Sequence, residues 1–272
     1  MRNIIVAEAQ GFCWGVERAL DIVAQYDQVS ILGDLIHNKQ VVADLEKSNK
    51  KIIHEITGNE NHPIVITAHG TRIENFEKIA SLNLEVVDTT CPLVSVIYNA
   101  GAKLESEGYR ILIIGDKNHI EVQGIASRLI EPIIVNNREE VISQELPEKI
   151  GVVSQSTFSP EKFDKIDEAI LQKVRDVKVR NTICSPTKKR QISAEKLAKK
   201  VDIMIVIGGY HSSNTKKLAE LTSKYVETHH IETEEQLEPD WFISKKEIGI
   251  TAGASTADWI IEKVRGKIQS FG

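Results

Sequence analysis

The sequence has little cysteine and no obvious way of pairing it. Cys13, Cys91 and Cys184 are the only three, separated by 78 and 93 residues. An odd, sparse set excludes a disulfide-stapled scaffold, and without a CxxC pair there is no ordinary structural zinc site. Reduced thiols are expected, and the plain role for any one of them is that of a small buried hydrophobe. Long apolar runs are also missing. A run such as Ile203 to Ile207 is strand-sized, far short of the roughly 20 residues that cross a bilayer, so no membrane span is expected. The chain runs almost at once into Ile4, Ile5 and Val6 without an apolar leader and cleavage site, which makes cytoplasmic residence the expectation. An excess of cations is absent too: 34 Lys and Arg face 39 Asp and Glu, for a net charge of −5. With no basic stripe to neutralise phosphates, nucleic acid is excluded as an expected partner. There is no Walker-type lysine loop, no HExxH, no flavin or nicotinamide fingerprint, and no low-complexity linker.

What remains is an ordinary globular composition, 41% hydrophobic and 27% charged over 272 residues, enough for a large domain or several small ones. Within it one order of elements recurs three times. A short β-branched run precedes each cysteine: Ile4 to Ala7, Glu85 to Val87, and Val177 to Val179. A helix-like stretch follows each. After Cys13, Val16, Ala19, Leu20 and Val23 recur at helical spacing, while Pro92 and Pro186 sit where a first helical turn accepts proline. Next comes a strand, a glycine and a polar cluster: Gly33 to Asn38, Gly115 to Glu121, and Gly208 to Asn214. Four residues beyond the glycines stand His37, His119 and Ser212; six beyond stand Lys39, Glu121 and Asn214. Small polar loops close the units, over Thr67 to Thr71, Ser154 to Thr157, and Thr251 to Ser255.

Strands alternating with helices predict an α/β protein with parallel sheets, whose ligands bind beyond the carboxyl ends of the strands. The polar clusters all fall on that edge. Units of about 90 residues are small for autonomous domains, so the reading is of three packed modules, over residues 14–90, 91–183 and 184–272, the last completed by the N-terminal strand within residues 1–13. If they surround a pseudo-threefold axis, the three cysteines converge on it. Ordinary α/β alternation with coincidental offsets is the competing explanation.

Convergent thiolates suit soft metals, and a cubane iron–sulfur cluster on three cysteines leaves one iron open to substrate. Helix starts beside the thiols stabilise negative sulfur. His37, His69 and His119, with Ser212, Ser213, Asn214 and Ser255, compose an anion cage for a phosphate or diphosphate, although Ser212 to Asn214 also suit simple helix capping. Glu121, between Ile120 and Val122, is a candidate proton donor if buried. A zinc hydrolase on the three histidines and a non-catalytic phosphometabolite-binding module are rival classes; metal and sulfide analysis, and binding without turnover, discriminate them.

In order from Gly11 to Ser255, Gly-Phe-Cys13-Trp-Gly-Val-Glu-Arg, Ile-His37-Asn38, Ala-His69-Gly70, Asp-Thr-Thr-Cys91-Pro, His119-Ile-Glu121-Val-Gln-Gly, Thr-Ile-Cys184, Ser212-Ser213-Asn214 and Thr-Ala-Gly-Ala-Ser255 resemble the LytB/IspH family of 4-hydroxy-3-methylbut-2-enyl diphosphate reductases. The resemblance implies a trefoil of three pseudo-repeated α/β modules around a central [4Fe-4S] cluster held by Cys13, Cys91 and Cys184, with one open iron. It implies that His37, His69, Ser212, Ser213, Asn214 and Ser255 hold the substrate's diphosphate and that His119 lies beside the substrate. Glu121 would deliver a proton, with Ser156 and Thr157 at the hydroxyl end. Ser156 stands where the family usually has threonine, which bears on the positioning of the proton relay. The implied reaction is reductive dehydroxylation of an allylic diphosphate to isopentenyl and dimethylallyl diphosphates, the last step of the methylerythritol phosphate isoprenoid pathway. Its electrons would come from an external donor of ferredoxin or flavodoxin type.

Overall fold

A computed structural model describes residues 2–271. In chain order it opens with β1 (Asn3–Val6), then α1 (Trp14–Ala24), β2 (Val29–Leu32), α2 (Lys39–Lys47), β3 (Lys50–Ile53), β4 (Ile64–Ile66), α3 (Ile73–Ser81) and β5 (Val86–Asp88). There follow α4 (Pro92–Ser106), β6 (Arg110–Ile114), α5 (Ile120–Ala126), β7 (Ile133–Val135), α6 (Arg138–Ser143), β8 (Lys149–Ser154), α7 (Pro160–Lys173) and β9 (Asp176–Val179). The last stretch is α8 (Ser185–Ala198), β10 (Ile203–Ile207), α9 (Ser213–Thr222), β11 (Thr228–Ile231), β12 (Glu247–Ala252) and α10 (Asp258–Ser270). No helix among the described residues is long and apolar enough to cross a membrane.

The strands form three four-stranded sheets, ordered β3-β2-β4-β5, β7-β6-β8-β9 and β1-β12-β10-β11, with every pairing parallel. The class is therefore α/β. Read from the opposite edge, the third order is β11-β10-β12-β1, which matches the other two, with the N-terminal strand standing where β5 and β9 stand. Each of those edge strands runs toward a cysteine.

Two compact units divide the chain, one of Met1–Glu17, Ile36–Asp44 and Ser185–Gly272, the other of Arg18–Leu35 and Leu45–Cys184. In the second unit, β6 illustrates why the sequence makes central strands. Ile111 and Ile113 pack on one face with Ile97, Leu104, Val122 and Ile125. Leu112 and Ile114 pack on the other with Phe158, Phe163, Ile166 and Ile170. Successive residues of a strand point to opposite faces, and a strand covered on both must be apolar throughout. Each fully buried side chain of this kind contributes about 1.5–3 kcal/mol. The same unit's other sheet buries Leu32, Ile64 and Ile66 against Ile56 and Ile79. In the first unit all five residues of β10 are buried, with Val206 against Ala194 and Leu218 and Met204 against Ala7, Leu197 and Ala198.

Helix starts obey the local chemistry. Pro92 and Pro160 open α4 and α7, and Ser159 caps the latter by accepting from Lys162 N–H, since a first-turn proline lacks only a donor that would be unused anyway. The strands before the cysteines fall within one residue of the expected spans. Two of the expected polar loops begin later than their composition suggests. Ser154 pairs with Ile114 as the end of β8, and Thr251 and Ala252 pair with Val206 and Ile207 as the end of β12. Ladder pairing to a central strand satisfies the backbone there and overrides the polarity of the side chains.

Candidate functional site

One backbone bond occurs three times at equivalent positions. Ala68, Ser156 and Ala254 each lie two residues beyond the end of β4, β8 and β12. Their carbonyls accept the N–H of Cys91 at 3.0 Å, Cys184 at 2.9 Å and Cys13 at 3.1 Å. A second bond repeats in the same way: the N–H groups of Gly33, Gly115 and Gly208 donate to the last residues of β3, β7 and β11, at 2.7, 2.9 and 2.9 Å. The backbone thus reproduces the repeat that the residue offsets imply.

All three cysteines are half-buried and outside any disulfide. Trp14, Pro92 and Ser185 begin helices directly after them, so each sulfur stands at the positive end of a helix, where a thiolate is favoured. Among the described residues no three His, Cys, Asp or Glu side chains gather as a group that could hold a metal ion.

In the second unit, His119 caps the start of α5. Its Nδ1 accepts from Glu121 N–H at 3.2 Å, which fixes the ring as the Nε2–H tautomer and leaves Nε2 as its donor end. The ring of His69 meets that of His119 edge-on, with centroids 5.8 Å apart and an interplanar angle of 85°. Glu121 is 1% exposed. Its carboxyl accepts two bonds from one residue, from Ser156 N–H at 2.5 Å and from Ser156 Oγ at 2.8 Å. The adjoining Gln155 is wholly buried, donates to Thr157 Oγ1 at 3.2 Å and accepts from Asp116 N–H at 3.2 Å. The structure therefore sets His69 against His119 at the start of α5, and Glu121 in the first turn of that helix against the loop that carries Ser156 and Thr157.

Behind them stands Tyr98. Its hydroxyl is so close to Gly70 that an added Cβ would lie 2.1 Å from it, and 2.9 Å at Gly124. Gly70 also has φ +74°, so both backbone shape and the phenol demand glycine. Arg128 covers the Tyr98 ring at 4.0 Å and donates to the carbonyls of Thr71 and Gly124 at 2.7 and 2.6 Å. Burial pushes the Tyr98 phenol up to about 12, with Glu121 and Asp88 adding to the rise and Arg128 opposing it.

In the first unit, Ser212 caps α9, its Oγ accepting from Thr215 N–H at 3.3 Å, and Ser213 is the first helical residue. The capping role is real. Asn214 exceeds it: at 3% exposure, both its amide oxygen and its amide nitrogen are buried without a hydrogen-bond partner. The hydroxyls of Thr215 and Thr251 are in the same state. Each such group costs about 1–3 kcal/mol in a folded protein, a cost tolerated where a ligand supplies the partner. Ser255, buried, donates to the His37 carbonyl at 3.1 Å. Gly209 approaches that carbonyl so closely that a Cβ would come within 2.4 Å. His37, Ser255 and the α9 start thus belong to one polar neighbourhood. Asn38 caps α2, accepting from Gln40 and Val41 N–H.

The sequence reading missed several supports. Arg18, four residues into the helix after Cys13, donates to the carbonyls of Thr89 and Thr90 just before Cys91, at 3.3 and 3.4 Å. Gln155, Tyr98 and Gly209 were likewise not singled out. Arg18 and Gln155 had a usable signal, since each lies within a quoted segment, the Cys13 motif and the Ser154 to Thr157 loop, and is polar where an apolar residue would serve a plain core.

The LytB protein family model matches residues 4–269. A 4-hydroxy-3-methylbut-2-enyl diphosphate reductase from Campylobacter jejuni subsp. doylei is 40% identical over 99% of both chains. One from Geotalea daltonii is 41% identical over 99% of this chain and 98% of its own. A solved (E)-4-hydroxy-3-methyl-but-2-enyl diphosphate reductase, described as the terminal enzyme of the non-mevalonate pathway, is 40% identical with a TM-score of 0.72, covering 99% of this chain and all of its own. The solved E-1-hydroxy-2-methyl-but-2-enyl-4-diphosphate reductase of Plasmodium falciparum is 27% identical with a TM-score of 0.93, covering 97% of this chain and 87% of its own.

Proposed function

This chain belongs to the LytB protein family, and from that membership we propose that it reduces 4-hydroxy-3-methylbut-2-enyl diphosphate to isopentenyl and dimethylallyl diphosphates and water. The family is one of iron–sulfur reductases of isoprenoid biosynthesis. Two electrons and two protons are consumed for each C–O bond broken.

The observation that carries the reading is the thrice-repeated N–H bond that anchors Cys13, Cys91 and Cys184 at equivalent helix starts. Three thiols outside any disulfide, at three equivalent helix starts, have the donor chemistry of a [4Fe-4S] cluster with one iron lacking a protein thiolate, and by that chemistry Cys13, Cys91 and Cys184 would hold it. When bound, it supplies a Lewis-acidic site and a store for electrons. The protein's own work is binding and proton handling. Asn214, Ser212, Ser213 and Ser255, with His37 and His69, hold the diphosphate, the orphaned Asn214 amide finding its partner in a phosphate oxygen. The Nε2–H of His119 faces substrate as a donor. Glu121 carries the proton that leaves with the hydroxyl as water, and Ser156 keeps its carboxyl aimed while Gln155 steadies Thr157 beside it. Fixing the diphosphate remote from the reacting carbon orients that carbon for reaction. Electrons enter from an external protein donor.

The experiment is anaerobic turnover of the allylic diphosphate with dithionite as reductant. The reading predicts both product diphosphates; binding of substrate without any conversion contradicts it.

A further inference from the structure

Helix α8 and the two residues after it hold Lys188, Lys189, Arg190, Lys196, Lys199 and Lys200 against one acid, Glu195, in a chain of net charge −5. The buried side of the helix grips the segment that leads to Cys13. Arg190 donates to the Gly11 carbonyl at 2.6 Å, and Ala9 N–H donates to Ser193 Oγ at 3.1 Å. Its first residue, Ser185, directly follows Cys184. One helix thus adjoins two of the three cysteine segments.

The opposite side faces solvent. Lys189, Ile192, Lys196 and Lys200 recur at helical spacing and are exposed, with Ile192 at 57%. Lys199 is neutralised by Glu195 at 2.6 Å. Lys189, Lys196 and Lys200 enter no ion pair among the described residues. An apolar residue set among unneutralised lysines suits a charge-steered encounter with an acidic partner. Lys189 lies only about 6 Å along the axis from Ser185.

We propose that this exposed face of α8 docks a small acidic one-electron carrier protein that feeds the reaction. The proposal rests on the reductase reading above. Each docking oxidises one carrier by one electron, and two dockings supply the pair that, with two protons, cleaves the C–O bond and releases water.

The test uses the iron–sulfur-loaded protein with an acidic ferredoxin. In calorimetric titrations the wild-type Kd should rise as salt increases from about 50 to 200 mM, as screening of exposed charges requires. The Lys189→Glu/Lys196→Glu variant should weaken the Kd about tenfold or more, whereas Lys51→Glu, a charge reversal at an exposed site on β3, should leave it unchanged. Ferredoxin-driven turnover should follow the same order, with KM for ferredoxin rising while dithionite-driven turnover stays equal in all three proteins. An unchanged Kd in the double variant, or equal weakening by Lys51→Glu, would overturn the assignment. Wild-type protein that fails with dithionite as well would overturn the reductase reading instead.

Discussion

The backbone N–H of Cys184 donates to the carbonyl of Ser156 at 2.9 Å, and Ser156 in turn gives its own N–H and hydroxyl to Glu121. One residue therefore links a candidate cluster ligand to the candidate proton donor. The carbonyl and the N–H do their tasks whatever the side chain; only the hydroxyl's bond to Glu121 depends on the residue being serine.

That division makes Ser156→Ala informative. Losing one hydrogen bond to an ionisable group costs about 1.5–3 kcal/mol, so turnover should fall roughly 10- to 100-fold while iron content, measured in parallel, stays constant. Ser156→Thr restores the hydroxyl and should recover the rate. An alanine variant at full speed would remove the hydroxyl from the relay.

Glu121→Gln keeps the shape and one acceptor oxygen for Ser156 N–H, its amide nitrogen turning to the Ser156 hydroxyl as a donor, but cannot deliver a carboxylic proton. Turnover should drop by about 10²–10⁴-fold with the absorption of the metal centre unaltered. Near-normal rates would assign the proton to another group.

Asn214 separates binding from folding. Replacing a buried amide that has no partner with a leucine of similar size removes an unsatisfied group of about 1–3 kcal/mol. Asn214→Leu should therefore melt no lower than wild type, yet lose the rise in Tm that inorganic diphosphate gives the wild-type protein through mass action. A variant that keeps that rise would show the amide to be irrelevant to anion binding.

His230 gives a pH dependence with a definite sign. Its Nε2–H donates to the Gly208 carbonyl at 2.8 Å, at the base of the loop that leads to Asn214. Burial holds its pKa below the ordinary 6.5, outweighing the opposing effect of the Gly208 bond. Below 6.5 the unfolded chain binds the proton more readily than the folded one, so the stability from this residue is full above that pH and is lost as pH falls toward the lowered folded value. Melting curves between pH 7 and 5 should show a decline that His230→Gln reduces; identical profiles would contradict this.

Much of the candidate site's layout was legible because its residues follow glycines and strand ends at fixed offsets. His119 and Glu121 stand where His37 and Asn214 direct attention, and the cysteines stand at matched helix starts. The end of β12 at Ala252 was not legible, since Thr251 is polar and its place is set by pairing with Val206, about 45 residues away in the sequence. Arg18 and Arg190 escaped for a related reason: each secures a distant backbone carbonyl, and such bonds leave no periodic trace. Tyr98 sits on a plain amphipathic helix, and only the approach of Gly70 and Gly124 to its hydroxyl reveals it.

The most direct test is to purify the protein without oxygen and measure iron, acid-labile sulfide and turnover on the same sample, for wild type and for single Cys13→Ser, Cys91→Ser and Cys184→Ser variants. The account predicts about four irons and four sulfides per active chain, with every one of the three substitutions depleting both the metal and the rate. Wild-type protein that converts the allylic diphosphate while free of iron, or a serine variant that retains both cluster and turnover, would contradict it.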